Sequence, residues 1–318
     1  MIHKELLSKH FNITPDDVRE VKGGWSAKAY RVDTENNAYF LKAYDKSLPS
    51  VVPWVRRIDD YIPVLGWLSD TPELRGRVVT PIKSVSRDYK VETETHVFLL
   101  FEYVPGETPW EGRLTRRQLA ELAEILALLH SFDASSVPCG TGGLREDISF
   151  DFCIKLERYL NAPEGNSGLS RVISKEADML RAAIGTTVRL RDTVRLNAKH
   201  LVLCHADTHK NNVIQSDRLI LADWEDLRLA PAEADLFMYA LDPGWEVFLQ
   251  AYKAIRRDFH IDENLLNFYL IRRRLDDIWS DIARLLYDDP GKYEAARCFE
   301  LLQISFSETQ QLLNERGM

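Results

Sequence analysis

The sequence predicts an α+β protein with two lobes: a strand-rich N-terminal lobe over residues 1–104 and a mostly helical C-terminal lobe over 105–318. Two observations predict this division. Short runs of β-branched and aromatic residues separated by Gly and Asn turns fill the first hundred residues, and helical apolar periodicity dominates after Pro105-Gly106. A chain of 318 residues is also longer than one hydrophobic core usually supports.

The N-terminal lobe is predicted to contain a five-stranded, mainly antiparallel sheet. A helix at about 50–69 is expected after the third strand, with Pro63 starting or kinking its second half. The expected strands are 18–22, 27–32, 38–44, 77–84 and 96–104.

The C-terminal lobe begins with a helix over 115–132, where apolar residues recur at helical spacing and Thr115 is the predicted N-cap. Short strands are expected to interrupt the helical pattern shortly after residue 200. The further helices are predicted at 149–160, at 171–190 and from about 232 to the end, and the strands at 201–204, 212–215 and 219–222.

Composition and charge narrow the possible functions. The chain has 41 Lys and Arg against 49 Asp and Glu, and this net charge of −8 disfavours nucleic acid or an anionic membrane and favours a cationic ligand. Its four widely spaced cysteines indicate neither a disulfide framework nor a zinc site. Since no signal peptide or run of about 20 apolar residues is found, we expect a soluble, cytoplasmic protein.

The most informative stretch is HADTHKNN at 205–212, which is followed after a short strand pair by Asp223. Phosphoryl transfer needs a carboxylate that accepts the proton of the substrate hydroxyl, and it needs oxygen ligands for Mg²⁺. Asp207 is therefore the predicted catalytic residue, and Asn212 and Asp223 are the predicted metal ligands. The alternative is that these are ordinary polar turn residues, with His205 structural in either case.

These motifs resemble the aminoglycoside phosphotransferase and choline kinase-like family, and the resemblance covers nearly the whole chain. Within that family, CHADTHKNNV at 204–213 and ADWEDLRLAPAEADL at 222–236 resemble bacterial antibiotic phosphotransferases, spectinomycin phosphotransferase in particular. The resemblance implies a protein-kinase-like fold, ATP and Mg²⁺ as cofactors, and an alcohol group as the phosphoryl acceptor.

The resemblance also implies a nucleotide site in the N-terminal lobe. Lys42 corresponds to the lysine that contacts the α- and β-phosphates, and it shares a strand face with Phe40. The family normally pairs this lysine with a Glu on the inserted helix, but this sequence offers only aspartates there. Asp59 is the predicted partner, with Asp60 as the alternative.

Two further segments fall where family members contact the nucleotide. Gly23, Gly24 and Ser26 lie at the phosphate-covering loop, although paired glycines are equally typical of a plain hairpin turn. At the hinge between the lobes, the resemblance implies that adenine bonds the backbone C=O of Glu102 and the N–H of Val104.

The acceptor site is less clearly indicated. Glu225 and Asp226 either bind a cationic substrate or cap the following helix. Trp245 either stacks on an apolar sugar face or belongs to the core. Asp277 and Asp281, four residues apart on a helix predicted over about 262–287, either hold an amine or form a salt-bridged surface row with Arg273 and Arg284.

The favoured function is an ATP-dependent phosphotransferase for a small, cationic hydroxyl compound, an aminocyclitol or aminoglycoside antibiotic, with spectinomycin as the first choice. The first alternative is a metabolic kinase of the same fold for homoserine, choline or a methylthioribose-like sugar, since the fold does not specify the acceptor. The second is a non-catalytic, kinase-like structural protein. The sequence leaves open the oligomeric state and the choice between ATP and GTP.

Overall fold

The computed structural model describes residues 2–23, 26–108, 112–137, 140–146, 148, 151–163, 167–197, 201–288 and 290–317. The chain divides into two compact units. The first comprises Met1–Arg145 and Val202–Phe259, and the second comprises Glu146–Leu201 and His260–Met318. The predicted lobe boundary after residue 104 is a different division and stays a prediction.

The helices and strands follow one another along the chain in four blocks. The first unit opens with α1 (Ile2–Phe11), β1 (Asp17–Val21), β2 (Lys28–Asp33), β3 (Ala38–Asp45), α2 (Val52–Asp70), β4 (Pro81–Ile82), β5 (Lys90–Glu92), β6 (His96–Glu102) and α3 (Arg116–Leu129). The second unit starts with α4 (Asp151–Asn161), α5 (Ser167–Lys175) and α6 (Ala177–Asn197). The first unit resumes with β7 (Val202–Cys204), β8 (Val213–Gln215), β9 (Leu219–Leu221), β10 (Arg228–Ala230), α7 (Glu233–Leu236) and α8 (Trp245–Ile255). The second unit ends with α9 (Glu263–Tyr287) and α10 (Lys292–Arg316).

The N-terminal sheet is antiparallel and follows the order β1-β2-β3-β6-β4, with β5 also pairing with β6. The five predicted strands are therefore present, and β5 is an addition to them. The predicted strand 77–84 is reduced to Pro81–Ile82, because Val78 instead forms an isolated bridge with Leu221. This bridge joins the sheet region to the β8–β9 hairpin, which carries the chain to Asp223.

The two faces of β3 have different surroundings. Leu41 and Ala43 lie in a buried cluster with residues of α1, including Leu7. Because side chains alternate along a strand, Phe40, Lys42 and Tyr44 project from the opposite face. The β3–β6 register places Lys42 across from Leu99. Helix α1, which was not predicted, thus covers the face that does not carry the lysine.

Helix α2 runs through Pro63 without interruption from Val52 to Asp70. Its buried residues include Ile58, Tyr61, Ile62 and Leu65, which follow the i, i+3, i+4, i+7 spacing of one helical face. This face decides which side chains of α2 can reach the sheet.

Two predicted helix starts are confirmed by their caps. Thr115 forms a capping box with Gln118 at the start of α3, and the Asp262 carboxylate accepts the first backbone N–H groups of α9. Within the second unit, α9 packs against α4, α6 and α10. Among the helices of the described residues, none combines the length and the apolar character needed to cross a membrane.

Candidate active site

The loop between β7 and β8 brings two predicted catalytic-loop residues into contact. Asn212 Nδ2 donates to Asp207 Oδ2 at 2.9 Å and to the Asp207 backbone C=O at 2.8 Å. The Asn212 amide nitrogen is therefore committed to Asp207, and the amide oxygen is the atom that Asn212 offers to a cation. As the spacing predicts, the carboxylate and the amide lie side by side.

A buried carboxylate that was not predicted shapes this loop. Asp235 accepts the backbone N–H groups of His205 at 2.9 Å and Ala206 at 2.5 Å. Ala206 adopts a left-handed conformation, with φ 64°, that is uncommon for a residue with a side chain. Asp235 also pairs with His130 Nε2 at 2.9 Å, and both side chains are fully buried. One signal pointed to Asp235: an acidic residue in an apolar run needs partners if it is buried.

His205 connects the catalytic loop to the segment that precedes Asp223. Its Nδ1 accepts the Asp207 backbone N–H at 3.2 Å, so its Nε2 is assigned as the donor to the Ala222 C=O at 2.9 Å. The ring also packs edge-on against Trp224, with 4.6 Å between the ring centroids. These contacts agree with the structural role predicted for His205.

The second predicted metal ligand lies against the predicted phosphate lysine. Lys42 Nζ contacts Asp223 Oδ1 at 2.6 Å, which joins two residues that are 181 positions apart. Asp223 has a left-handed backbone with φ 63°, immediately before the 3₁₀ turn Trp224–Asp226. Strained backbone of this kind is typical of functional sites, where the surrounding structure maintains it.

Glu225 holds the same lysine from a second side. Its Oε1 accepts from Lys42 Nζ at 2.6 Å and from the Tyr44 hydroxyl at 2.5 Å, and its Oε2 accepts from the Ser26 hydroxyl at 2.6 Å. Burial lowers the pKa of Lys42, but the carboxylates of Asp223 and Glu225 outweigh burial and raise it. The lysine therefore stays charged. Burial raises the pKa of Glu225, against the opposing charge of Lys42.

The predicted pairing of Lys42 with Asp59 is wrong. Asp59 contacts Lys90 Nζ at 2.5 Å, and its side chain is 68% exposed. The physical reason is the orientation of α2, whose buried face carries Tyr61 and excludes Asp59. The alternative partner, Asp60, lies against the backbone at Gly143.

The predicted role of Glu225 and Asp226 in binding a cationic acceptor is also corrected. Glu225 is occupied by Lys42, and Asp226 Oδ1 accepts from Arg57 at 3.0 Å and from Arg228. Neither residue caps a following helix, because both belong to the short 3₁₀ turn after Asp223. A carboxylate next to a metal motif has the same sequence signature whether it binds a lysine, an arginine or a substrate amine.

The nucleotide segments are described in part. A Cβ at Gly23 would lie 3.0 Å from both the Ala27 C=O and the Ala29 Cβ, so the backbone here packs closely. Gly24 lies outside the described residues. Glu102 ends β6 with an exposed side chain, and Val104 follows two positions later. Their contacts with adenine stay predictions.

The remaining acceptor candidates have neighbours of their own. The half-buried Trp245 ring stacks on Phe248 at 5.6 Å between centroids, which agrees with the core alternative. Asp277 pairs with Arg273 at 2.8 Å, which agrees with the salt-bridge alternative. Burial and the charge of Asp277 raise the pKa of Asp281 to about 7. Binding of an acceptor by these three residues stays a prediction.

The donor set fits Mg²⁺ rather than a softer metal. Asn212 and Asp223 offer an amide oxygen and a carboxylate, which are hard oxygen ligands. A different group, His130, Cys204 and Asp235, has ligand atoms within 4.8 Å of one another. Its donors are already used within the core, since His130 bonds Asp235 and the Cys204 thiol points at backbone carbonyls.

The fold is of the protein-kinase-like α+β class, and it carries the predicted catalytic loop and the Lys42–Asp223 contact. Residues 17–263 match the sequence model of the phosphotransferase enzyme family, and the chain belongs to that family. No curated protein sequence matches the chain significantly.

Solved structures of the same fold include three antibiotic phosphotransferases. Spectinomycin phosphotransferase APH(9)-Ia, in complex with ADP and spectinomycin, is 20% identical with a TM-score of 0.72, covering 98% of this chain and 97% of that one. A thermostable mutant of APH(4)-Ia with AMP-PNP and hygromycin B is 14% identical with a TM-score of 0.61. The match covers 98% of this chain and 97% of that one. An aminoglycoside phosphotransferase from Alicyclobacillus acidocaldarius is 14% identical with a TM-score of 0.57. The match covers 97% of this chain and 93% of that one.

Proposed function

We propose that this phosphotransferase transfers the γ-phosphoryl group of ATP to a hydroxyl of a small cationic compound of the aminocyclitol or aminoglycoside type. The observation that carries the proposal is the presence of two pairs, Asp207 with Asn212 and Lys42 with Asp223, whose backbones are joined by the Ala222 N–H bond to the Asn212 C=O at 2.8 Å. A structural protein without catalysis has no physical need to maintain all four of these residues together.

Each side chain of the group has a distinct task in the proposed reaction. Asp207 accepts the hydrogen bond of the acceptor hydroxyl and takes its proton as the oxygen attacks phosphorus, while Asn212 fixes the orientation of the carboxylate. Lys42 places a fixed positive charge on the nucleotide phosphates. Asn212 and Asp223 would hold Mg²⁺, which supplies charge neutralisation for the phosphates when bound.

Charge and likeness support the choice of acceptor. The net charge of −8 favours a cationic acceptor over an anionic acceptor. The solved structures of the same fold include proteins bound to spectinomycin and to hygromycin B. Spectinomycin is therefore the first candidate, and Asp277 with Asp281 is the carboxylate pair proposed to hold its amines.

The test is a screen of MgATP consumption by the purified protein with one acceptor at a time. The acceptors are spectinomycin, a set of aminoglycosides, homoserine, choline and methylthioribose, and mass spectrometry identifies the phosphorylated product. Asp207→Asn is the inactive control, with turnover expected to fall by about 10²–10⁴-fold while MgADP affinity is retained. Asp217→Asn, at an exposed aspartate of the β8–β9 turn, is the matched control with unchanged turnover.

The outcomes separate the proposal from its rivals. Phosphorylation of an aminocyclitol or aminoglycoside supports the acceptor class. Phosphorylation of homoserine, choline or methylthioribose alone would replace the acceptor and keep the chemistry. Near-normal turnover in Asp207→Asn would contradict the catalytic assignment.

A further inference from the structure

We infer that Glu225 is the positioning residue for Lys42 in this chain, a task that the family resemblance assigned to an acidic residue on helix α2. The inference deepens the proposed function and rests on it, since it treats Lys42 as the lysine that contacts the nucleotide phosphates. It differs from the sequence-based interpretation of Glu225 as a ligand for the acceptor.

The first argument is the set of contacts that Glu225 makes. Its two carboxylate oxygens accept from Lys42 at 2.6 Å, from Tyr44 at 2.5 Å and from Ser26 at 2.6 Å. The Glu225 side chain is only 8% exposed and Lys42 only 13%. A buried carboxylate with three donors has a fixed orientation, so it fixes the direction of the lysine that it binds.

The second argument is that α2 presents no acidic side chain to the lysine. The buried face of this helix carries Ile58 and Tyr61, and Asp59 points away from it to Lys90. Tyr61 lies among the charges of Lys42 and Glu225, so the buried face of α2 presents a phenol to them and not a carboxylate.

The location of Glu225 has a mechanistic consequence. Asp223 and Glu225 flank Trp224 on one short turn, so the predicted metal ligand and the lysine partner belong to the same four-residue segment. Arg57 of α2 binds this segment through Asp226 and the Leu227 C=O at 2.9 Å. Lysine orientation therefore depends on this turn, which Arg57 of the helix also holds.

Ser26 extends the same link to the segment predicted to cover the phosphates. Its hydroxyl donates to Glu225 at 2.6 Å, and Ser26 belongs to the segment that the family resemblance places over the phosphates. One carboxylate thus binds both Lys42 and the segment just before β2. We expect loss of this carboxylate to affect nucleotide affinity and turnover together.

The test compares Glu225→Gln with Asp59→Asn in the full-length protein. The Gln side chain keeps the shape and removes the charge. Glu225→Gln should lower kcat/KM for ATP by about 10–100-fold, which is the usual effect of losing a group that orients a site residue. Glu225→Asp should recover part of the loss, and Asp59→Asn should match the wild type. MgADP affinity, measured by calorimetry, should fall in Glu225→Gln and not in Asp59→Asn.

Three results would overturn the inference. The first is wild-type kcat/KM in Glu225→Gln. The second is a large loss of kcat/KM in Asp59→Asn, which would show that helix α2 positions Lys42. The third is a Glu225→Gln enzyme whose full activity returns when Mg²⁺ is raised, because that behaviour identifies Glu225 as a metal ligand. If the wild type phosphorylates no acceptor, the proposed function fails, and the MgADP affinities still decide the role of Glu225.

Discussion

Two pairs of closely spaced carboxylates in this chain differ in their partners. Asp223 and Glu225, two residues apart in the first unit, share one buried lysine at 2.6 Å each. Asp277 and Asp281, four residues apart in the second unit, do not share a cation in this way. Asp277 pairs with Arg273, whereas Asp281 contacts the thiol of Cys298.

The difference between the two pairs shows how a lysine stabilises buried carboxylates. Lys42 is compact and has three donors, so it satisfies two carboxylates from different sides and remains charged. Burial raises the pKa of Asp281, and the charge of Asp277 beside it raises this pKa further. The first pair is held by a cation of the chain itself, and we expect the second pair to share a cation only when a cationic acceptor binds.

The largest expected effect concerns the first pair. Asp223→Ala should abolish phosphoryl transfer and weaken MgATP binding, because the variant loses a charged metal ligand and leaves Lys42 with Glu225 alone. Asn212→Ala should be milder, since an amide is a neutral ligand. Steady-state kinetics across a Mg²⁺ titration checks both. Equal losses in the two variants would contradict the assignment of Asp223 as the charged ligand.

The next effect tests whether the buried Asp235 carboxylate supports the loop that carries Asp207. Asp235→Ala leaves the His205 and Ala206 N–H groups without their acceptor in the core, at a cost of about 1–3 kcal/mol each. We expect a clearly lower melting temperature and reduced kcat, with KM for ATP little changed. Thermal unfolding and kinetics on the same samples check this. An unchanged melting temperature would show that these N–H groups find other acceptors.

Two contacts within the candidate active site differ in how well the sequence predicted them. Asp207 and Asn212 lie five residues apart, so their contact follows from loop geometry alone. The contact between Lys42 and Asp223 spans 181 positions and was not predicted, since the family resemblance paired Lys42 with an acidic residue on α2. Most helices and strands were predicted because their signals are also local: helix caps such as Thr115 and the residue patterns of strands.

The failures have a common physical cause. Asp59 was chosen by its position in the chain, but the rotation of α2 about its axis puts Tyr61 toward the lysine. Glu225 was given to the acceptor because a carboxylate has the same signature for any cation. Asp235 was missed because its partners, including His130 at 105 positions away, come together only in the fold. Side-chain direction and long-range pairing are tertiary properties that no local pattern contains.

A smaller effect is expected from the second pair. If Asp277 and Asp281 hold the acceptor amine, replacing both with Asn should raise the acceptor KM by about tenfold or more, since a shielded charge-assisted bond is worth about 1.5–3 kcal/mol. KM for ATP should stay near the wild-type value. Kinetics with spectinomycin as the varied substrate checks this. An unchanged acceptor KM would place the amine elsewhere, because exposed ion pairs contribute little.

The smallest effect uses the raised pKa of Asp281, which is about 7 in the folded chain against an ordinary value of 3.8. The folded state therefore binds this proton more tightly than the unfolded state, and the free energy of unfolding falls as pH rises from about 4 to 7. Above pH 7 the full cost of the buried charge is present. Asp281→Asn removes that charge and keeps an oxygen acceptor for Cys298.

Asp281→Asn should therefore melt about 1–2 °C above the wild type at pH 8 for each kcal/mol relieved, and the difference should shrink towards pH 5. Asp178→Asn is the control, because the Asp178 side chain in the same unit is fully exposed and should shift the melting temperature at neither pH. Scanning calorimetry at the two pH values measures both variants. A melting difference for Asp281→Asn that is the same at pH 5 and pH 8 would mean that Asp281 does not titrate in this range. The second pair would then keep one charge state across this pH range.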